Sequence, residues 1–108
     1  MTLPLPDPIA RYFAALDQGA AAVAACFHED GCVRDEGALH QGRLAIRRWK
    51  DKTSSAYNYT STPVSADTQD GRTVVRCHVA GDFPGSPITL SYGFVLKGGE
   101  IAELEILG

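Results

Sequence analysis

The chain has 108 residues, 44% of them hydrophobic, and its 10 basic against 13 acidic residues leave a formal charge of −3. That is material for one core and one domain, residues 1–108, and the acidic balance argues against a nucleic-acid surface, which needs a basic field. No run of about 18 apolar residues offers a membrane span, and no signal-peptide pattern precedes the cysteines Cys26, Cys32 and Cys77, which include no close C-x-x-C pair, so a reduced, cytoplasmic protein is expected.

Asp7-Pro8 is a helix start, since an aspartate can cap free amides and a proline at the first helical position gives up no hydrogen bond. Ile9, Tyr12, Phe13 and Leu16 follow at helical spacing and Gly19 supplies a stop, which predicts a helix over about residues 8–17. Ala20 to Phe27 is alanine-rich with Val23, Cys26 and Phe27 on one face, a short second helix that ends where His28-Glu29-Asp30-Gly31 turns the chain. A brief strand, Cys32 to Asp35, comes next. From Gly42, the residues Leu44, Ala45, Ile46, Trp49 and Thr53 form a third helix, apolar inside, with Arg43, Arg47, Arg48, Lys50 and Lys52 as its wet basic side.

After about Ala56 the period changes. Tyr57, Tyr59, Thr60, Thr62 and Val64 favour a strand, Asp70-Gly71 is a hairpin signal, and Val74 to Val79 favours a strand again. Pro84-Gly85-Ser86-Pro87 turns the chain into Ile88, Leu90, Tyr92, Phe94 and Leu96, which alternate with Thr89, Ser91, Gly93 and Val95; Gly98-Gly99 leads into Ile101 to Leu107. Three helices ahead of a meander of about four strands predict an α+β domain, with the helices on one face of a mostly antiparallel sheet. The other sheet face must meet water or a partner.

In this order, Arg11-Tyr12-Phe13-Ala14-Ala15-Leu16-Asp17-x-Gly19, Cys26-Phe27-x-x-Asp30, Val33-x-Asp35, Gly42-x-x-Ala45-Ile46-x-x-Trp49 and Gly99-Glu100-Ile101-x-x-Leu104 resemble the nuclear transport factor 2-like superfamily, and within it the SnoaL-like and ketosteroid isomerase-like proteins. The resemblance covers nearly the whole chain. It implies a cone-like α+β barrel, in which a strongly curved sheet wraps around the helices and leaves a deep apolar pocket open at one end, and it commonly implies a dimer across the sheet. It does not by itself imply one activity, because the superfamily hosts isomerases, cyclases, dehydratases, hydrolases and inactive proteins.

By the same resemblance Asp35 stands where ketosteroid isomerase-like proteins keep a general base, and Tyr12 matches the helix tyrosine that donates to a developing oxyanion, with a spacing one residue shorter than in the isomerase. A carboxylate at an apolar wall can remove a proton alpha to a carbonyl while a phenol stabilises the enolate oxygen. The plain alternatives are a turn aspartate paired with Arg34 and a tyrosine packed in the core. Tyr92 stands near the position of that isomerase's second donor, a protonated aspartate, and is either a donor or a pocket filler. Phe13, Trp49, Tyr57, Cys77 and Phe94 complete the expected pocket lining. His28, His40 and His78 have no metal-ligand spacing, so no metal and no cofactor are expected, and the histidines stay outside the catalytic set.

Two functions compete. One is a cofactor-independent isomerase, cyclase or dehydratase acting on an apolar carbonyl compound, with Asp35 as base and Tyr12 as donor. The other is a non-catalytic ligand-binding or dimeric interaction module whose pocket is filled by Trp49, Tyr57 and Tyr92. Both expect an apolar small-molecule ligand and a homodimer through the outer sheet face. They part on whether Asp35 and Tyr12 point into one pocket.

Overall fold

The computed structural model describes residues 3–108. Its elements run α1 (Asp7–Ala15), α2 (Ala20–Ala25), β1 (Phe27–Asp35), β2 (Ala38–Gln41), α3 (Arg43–Ala56), β3 (Tyr59–Gln69), β4 (Arg72–Gly81), β5 (Ile88–Lys97) and β6 (Glu100–Leu107). The six strands form one curved sheet in the order β2-β1-β6-β5-β4-β3, in which β1 and β6 are parallel and every other neighbouring pair is antiparallel. The expected meander is present as β3 to β6. The α+β class and the cone of sheet around helices hold, but the helices do not all precede the sheet, because the β1–β2 hairpin lies between α2 and α3.

That hairpin departs furthest from expectation. Its turn is the two residues Glu36 and Gly37, with φ of 51° and 78°, the left-handed pair that lets a two-residue turn follow the natural twist of the strands. Gly37 adopts this conformation without penalty; Glu36 does not. β1 is also longer than predicted. Phe27 pairs with Ile101 and Cys32 with Glu103, so the intervening His28-Glu29-Asp30-Gly31 is accommodated as an irregularity inside the strand instead of a turn before it.

At the start of α1, Asp7 already lies in the helix and makes no side-chain cap; the carbonyl of Pro6 accepts from the amides of Ile9 and Ala10 at 3.0 and 2.9 Å. On α3 the stripe Ile46, Trp49 and Thr53 turns inward as expected, but two positions are exchanged. Leu44 is 61% exposed, whereas Lys50, one turn beyond Ile46, is only 4% exposed.

The core joins Ile9 and Tyr12 of α1, Val23 of α2 and Ile46 of α3 to the inner face of the sheet, where Val33, Val75, Cys77, Phe94 and Leu104 are all fully or almost fully buried. β4 alternates as predicted: Val75, Cys77 and Val79 face the helices, while Arg76 and His78 face outward. Each fully buried aliphatic or aromatic side chain of this set contributes roughly 1.5–3 kcal/mol relative to an exposed one.

Candidate functional site

The inner sheet face is longer than the helices that cover it, and the uncovered end is a cavity of about 650 Å³. Depth follows the strands. On β5, Ile88, Leu90 and Tyr92 line the cavity, whereas Phe94, next on the same face, lies in the sealed core. On β4, Val79 lines it and Cys77 is sealed; on β6, Ile106 lines it and Leu104 is sealed. The opening therefore lies at the start of β5 and the ends of β4 and β6.

Tyr12 and Asp35 both line this one cavity, together with Trp49, Tyr57 and Tyr92. All four tyrosines of the chain and its single tryptophan line it. Phe13, Cys77 and Phe94, expected in the lining, stand behind it. Phe94 and Cys77 are 0% exposed because they lie further along their strands, under the helices. Phe13 packs its ring against those of Tyr12 and Tyr92, at centroid distances of 5.3 and 5.8 Å, and so supports the wall from behind.

Asp35 sits at the end of β1, two residues after fully buried Val33 and on the same face. The indole Nε1 of Trp49 donates to its Oδ2 at 3.0 Å, and Oδ1 has no protein hydrogen bond among the described residues. One oxygen is fixed and the other is available. Glu36 is exposed and stands at the cavity rim, where the left-handed turn ends the strand alternation.

The Tyr12 ring is wedged edge-on against Phe13, Phe27 and Phe94, leaving the residue 1% exposed. Among the described residues its hydroxyl has no hydrogen-bond partner, yet no buried polar atom is left orphaned, so the oxygen opens on the cavity. Burial first, then the neighbouring Tyr92, Tyr59, Cys77 and Asp35, hold its pKa well above the ordinary 10.0. It is a neutral donor at any working pH. Burial also raises Tyr92, an effect partly offset by Ser61, whose Oγ donates to the Tyr92 hydroxyl at 3.3 Å. Cys77 is a sealed thiol pushed up to about 11 by burial, which suits packing and not nucleophilic chemistry.

His40 and Tyr59 are among the cavity residues that the expected lining did not include. His40 lies on β2, an element without a strong strand pattern, and its ring is 6.1 Å from that of Trp49. Tyr59 begins the inward row of β3, and its hydroxyl accepts from Nζ of Lys50 at 2.6 Å. The strand parity it shares with Ser61, opposite to Thr60 and Thr62, was the available signal for it. Among the described residues no group of three or more histidine, cysteine or acidic side chains is placed to hold a metal ion. A smaller cleft of about 260 Å³ on the outer sheet face is polar, with Cys32 and Arg34 beside the Arg72–Glu105 ion pair of 2.6 Å.

Comparison with known proteins matches residues 9–104 to the SnoaL-like domain. A proposed polyketide cyclase from Sinorhizobium meliloti is similar at 43% identity and a TM-score of 0.90, over 94% of this chain and 94% of that one. A ketosteroid isomerase-like protein from Catenulispora acidiphila, solved with trimethylamine, gives 22% identity and a TM-score of 0.84 over 97% and 87% of the two chains. A nuclear transport factor 2-like protein from Cytophaga hutchinsonii gives 14% and 0.75 over 98% and 90%. The last two are likenesses of fold alone. No curated protein matches the chain.

Proposed function

The chain belongs to the SnoaL-like domain family, and on that premise we propose that it binds an apolar carbonyl compound and moves a proton on it without a cofactor, as an isomerase or cyclase would. In this reading Asp35 removes the proton alpha to the carbonyl and Tyr12 donates to the oxygen on which charge builds. The observation that carries it is the convergence on one cavity of about 650 Å³ of an Asp35 oxygen and the Tyr12 hydroxyl, neither of which has a hydrogen-bond partner among the described residues. A volume of that size suits a ligand of two or three fused rings. The likeness to a proposed polyketide cyclase at 43% identity supports a cyclic or cyclising substrate.

The Trp49 bond leaves Asp35 pinned through one oxygen, so the other can meet a substrate C–H without reorganisation. Wall residues Leu90, Val79 and Ile106 exclude water from the reacting carbon, which strengthens both the carboxylate and the phenol as reaction partners. A panel of fused-ring ketones screened by thermal shift tests the binding half of the proposal. Ligands present at about 100 times their dissociation constant are expected to stabilise the fold by about 2.7 kcal/mol. A folded protein whose melting point no member of the panel raises would count against the reading.

A further inference from the structure

Among the described residues Lys50 is the one buried charged side chain, 4% exposed, and no carboxylate of theirs lies within ion-pairing distance of it. A buried ammonium is costly unless its charge is met, so what meets it matters. Its Nζ donates to the hydroxyl of Tyr59 at 2.6 Å and lies 4.8 Å from the Tyr59 ring centroid and 5.9 Å from that of Trp49. Both rings line the cavity. The cation is thus held against the back of the cavity wall by two aromatic faces and one phenol oxygen.

We infer that Lys50 and Tyr59 form a subsite for an oxygen atom of the substrate. An ammonium can only donate, so the Tyr59 oxygen is committed as acceptor towards Lys50 and its own O–H must point elsewhere. Among the described residues that O–H donates to nothing, and Tyr59 lines the cavity. Its proton is therefore directed at the ligand space, with a positive charge behind it. Any carbonyl or enolate oxygen placed there receives a hydrogen bond from a phenol that the ammonium behind it polarises, which is stronger than one from an isolated phenol. Tyr12 and Tyr59 both line this cavity, so the two phenols face one ligand space. Tyr59 contacts the ligand; Lys50 acts through it as a positioning residue.

The inference rests on the proposed use of the cavity as the substrate site and narrows it to ligands that carry an oxygen acceptor on an apolar frame. The test compares 2-tetralone with tetralin, which has the same two rings and no oxygen, by quenching of the single tryptophan, Trp49. Wild type is expected to prefer 2-tetralone, and Tyr59→Phe and Lys50→Met each to cut that preference about tenfold, the worth of roughly one hydrogen bond. Lys50→Arg, which keeps the charge and the donor, is expected to retain most of it. An undiminished preference in Tyr59→Phe, or no preference in wild type, overturns the inference. If Lys50→Met does not fold, Tyr59→Phe alone decides. Asp35→Asn separates the two proposals: with the tetralone preference kept and proton exchange unchanged, the role of Asp35 fails while the oxygen subsite stands.

Discussion

Asp35 depends on Trp49 for its orientation, since the 3.0 Å bond from the indole is its only side-chain hydrogen bond among the described residues. Trp49→Phe keeps a ring in the wall and removes that bond; the expected outcome is a folded protein that has lost roughly 1.5–3 kcal/mol of stability, read by urea unfolding. The buried phenols make a second prediction. Tyr12 and Tyr92 both have pKa values raised by burial above the ordinary 10.0, so above pH 10 the unfolded chain releases protons that the folded chain keeps. Folding is then favoured less as pH climbs, and stability should fall from about pH 10 upward. Absorbance at 295 nm is expected to show at least two tyrosines ionising only as the protein unfolds, and at least one fewer such group in Tyr12→Phe. Asp35 and Tyr12 were legible in the sequence through strand parity, helix spacing and family likeness. Lys50 was not, because a lysine among four other basic residues reads as solvent-facing, although its spacing of four from Ile46 places it on the inner stripe.

At the scale of elements, the cavity mouth is shaped by where strands stop. β3 and β4 approach so closely at their open end that a Cβ on Gly81 would stand 2.2 Å from the carbonyl oxygen of Asn58 and 2.6 Å from Cβ of Tyr59. Backbone cannot move aside as a flexible side chain can. Gly81→Ala should therefore cost roughly 1–3 kcal/mol, and because the displaced segment carries Tyr57 and Tyr59 it should also weaken ligand binding, a coupling that calorimetry and thermal melting together would reveal. The long meander was legible because apolar and polar or small residues alternate from Ile88 to Phe94 in β5 and through much of β4. β2 was not, since four residues with two exposed small or apolar side chains carry almost no periodic signal, and with it His40 was missed. The strand between α2 and α3 was itself legible, as Cys32 to Asp35, but its β2 partner was not. What places this hairpin is its turn and its pairing to β1, neither of which hydrophobicity encodes.

For the whole molecule, the helices close one face of the sheet and the other face is left with charges of both signs, including Arg34, Arg72, Glu103 and Glu105. We propose that this face pairs with a second copy of the chain, since a patch carrying both signs can be self-complementary across a two-fold axis. Sedimentation at micromolar concentration should show a dimer that weakens with added salt; a monomer at every concentration would refute that. Among the described residues no helix is long and apolar enough to cross a membrane. The cone was legible from the order of its motifs, whereas the cavity's polar fittings depend on contacts between residues far apart in sequence, such as Trp49 with Asp35 and Lys50 with Tyr59, and pairwise geometry of this kind is set only once the sheet curls.

As the proposed base, Asp35 takes a carbon-bound proton from a ligand in this cavity. Deuterium exchange at the alpha carbons of 2-tetralone, followed by proton NMR in heavy water, measures that step without knowledge of the natural substrate. Wild type is expected to accelerate the exchange over buffer, Asp35→Asn to lose roughly 10²–10⁴-fold of that acceleration, and Tyr12→Phe to lose a substantial part of it. Exchange in Asp35→Asn as fast as in wild type, or no acceleration by a wild-type protein that binds the ketone, would refute this role of Asp35.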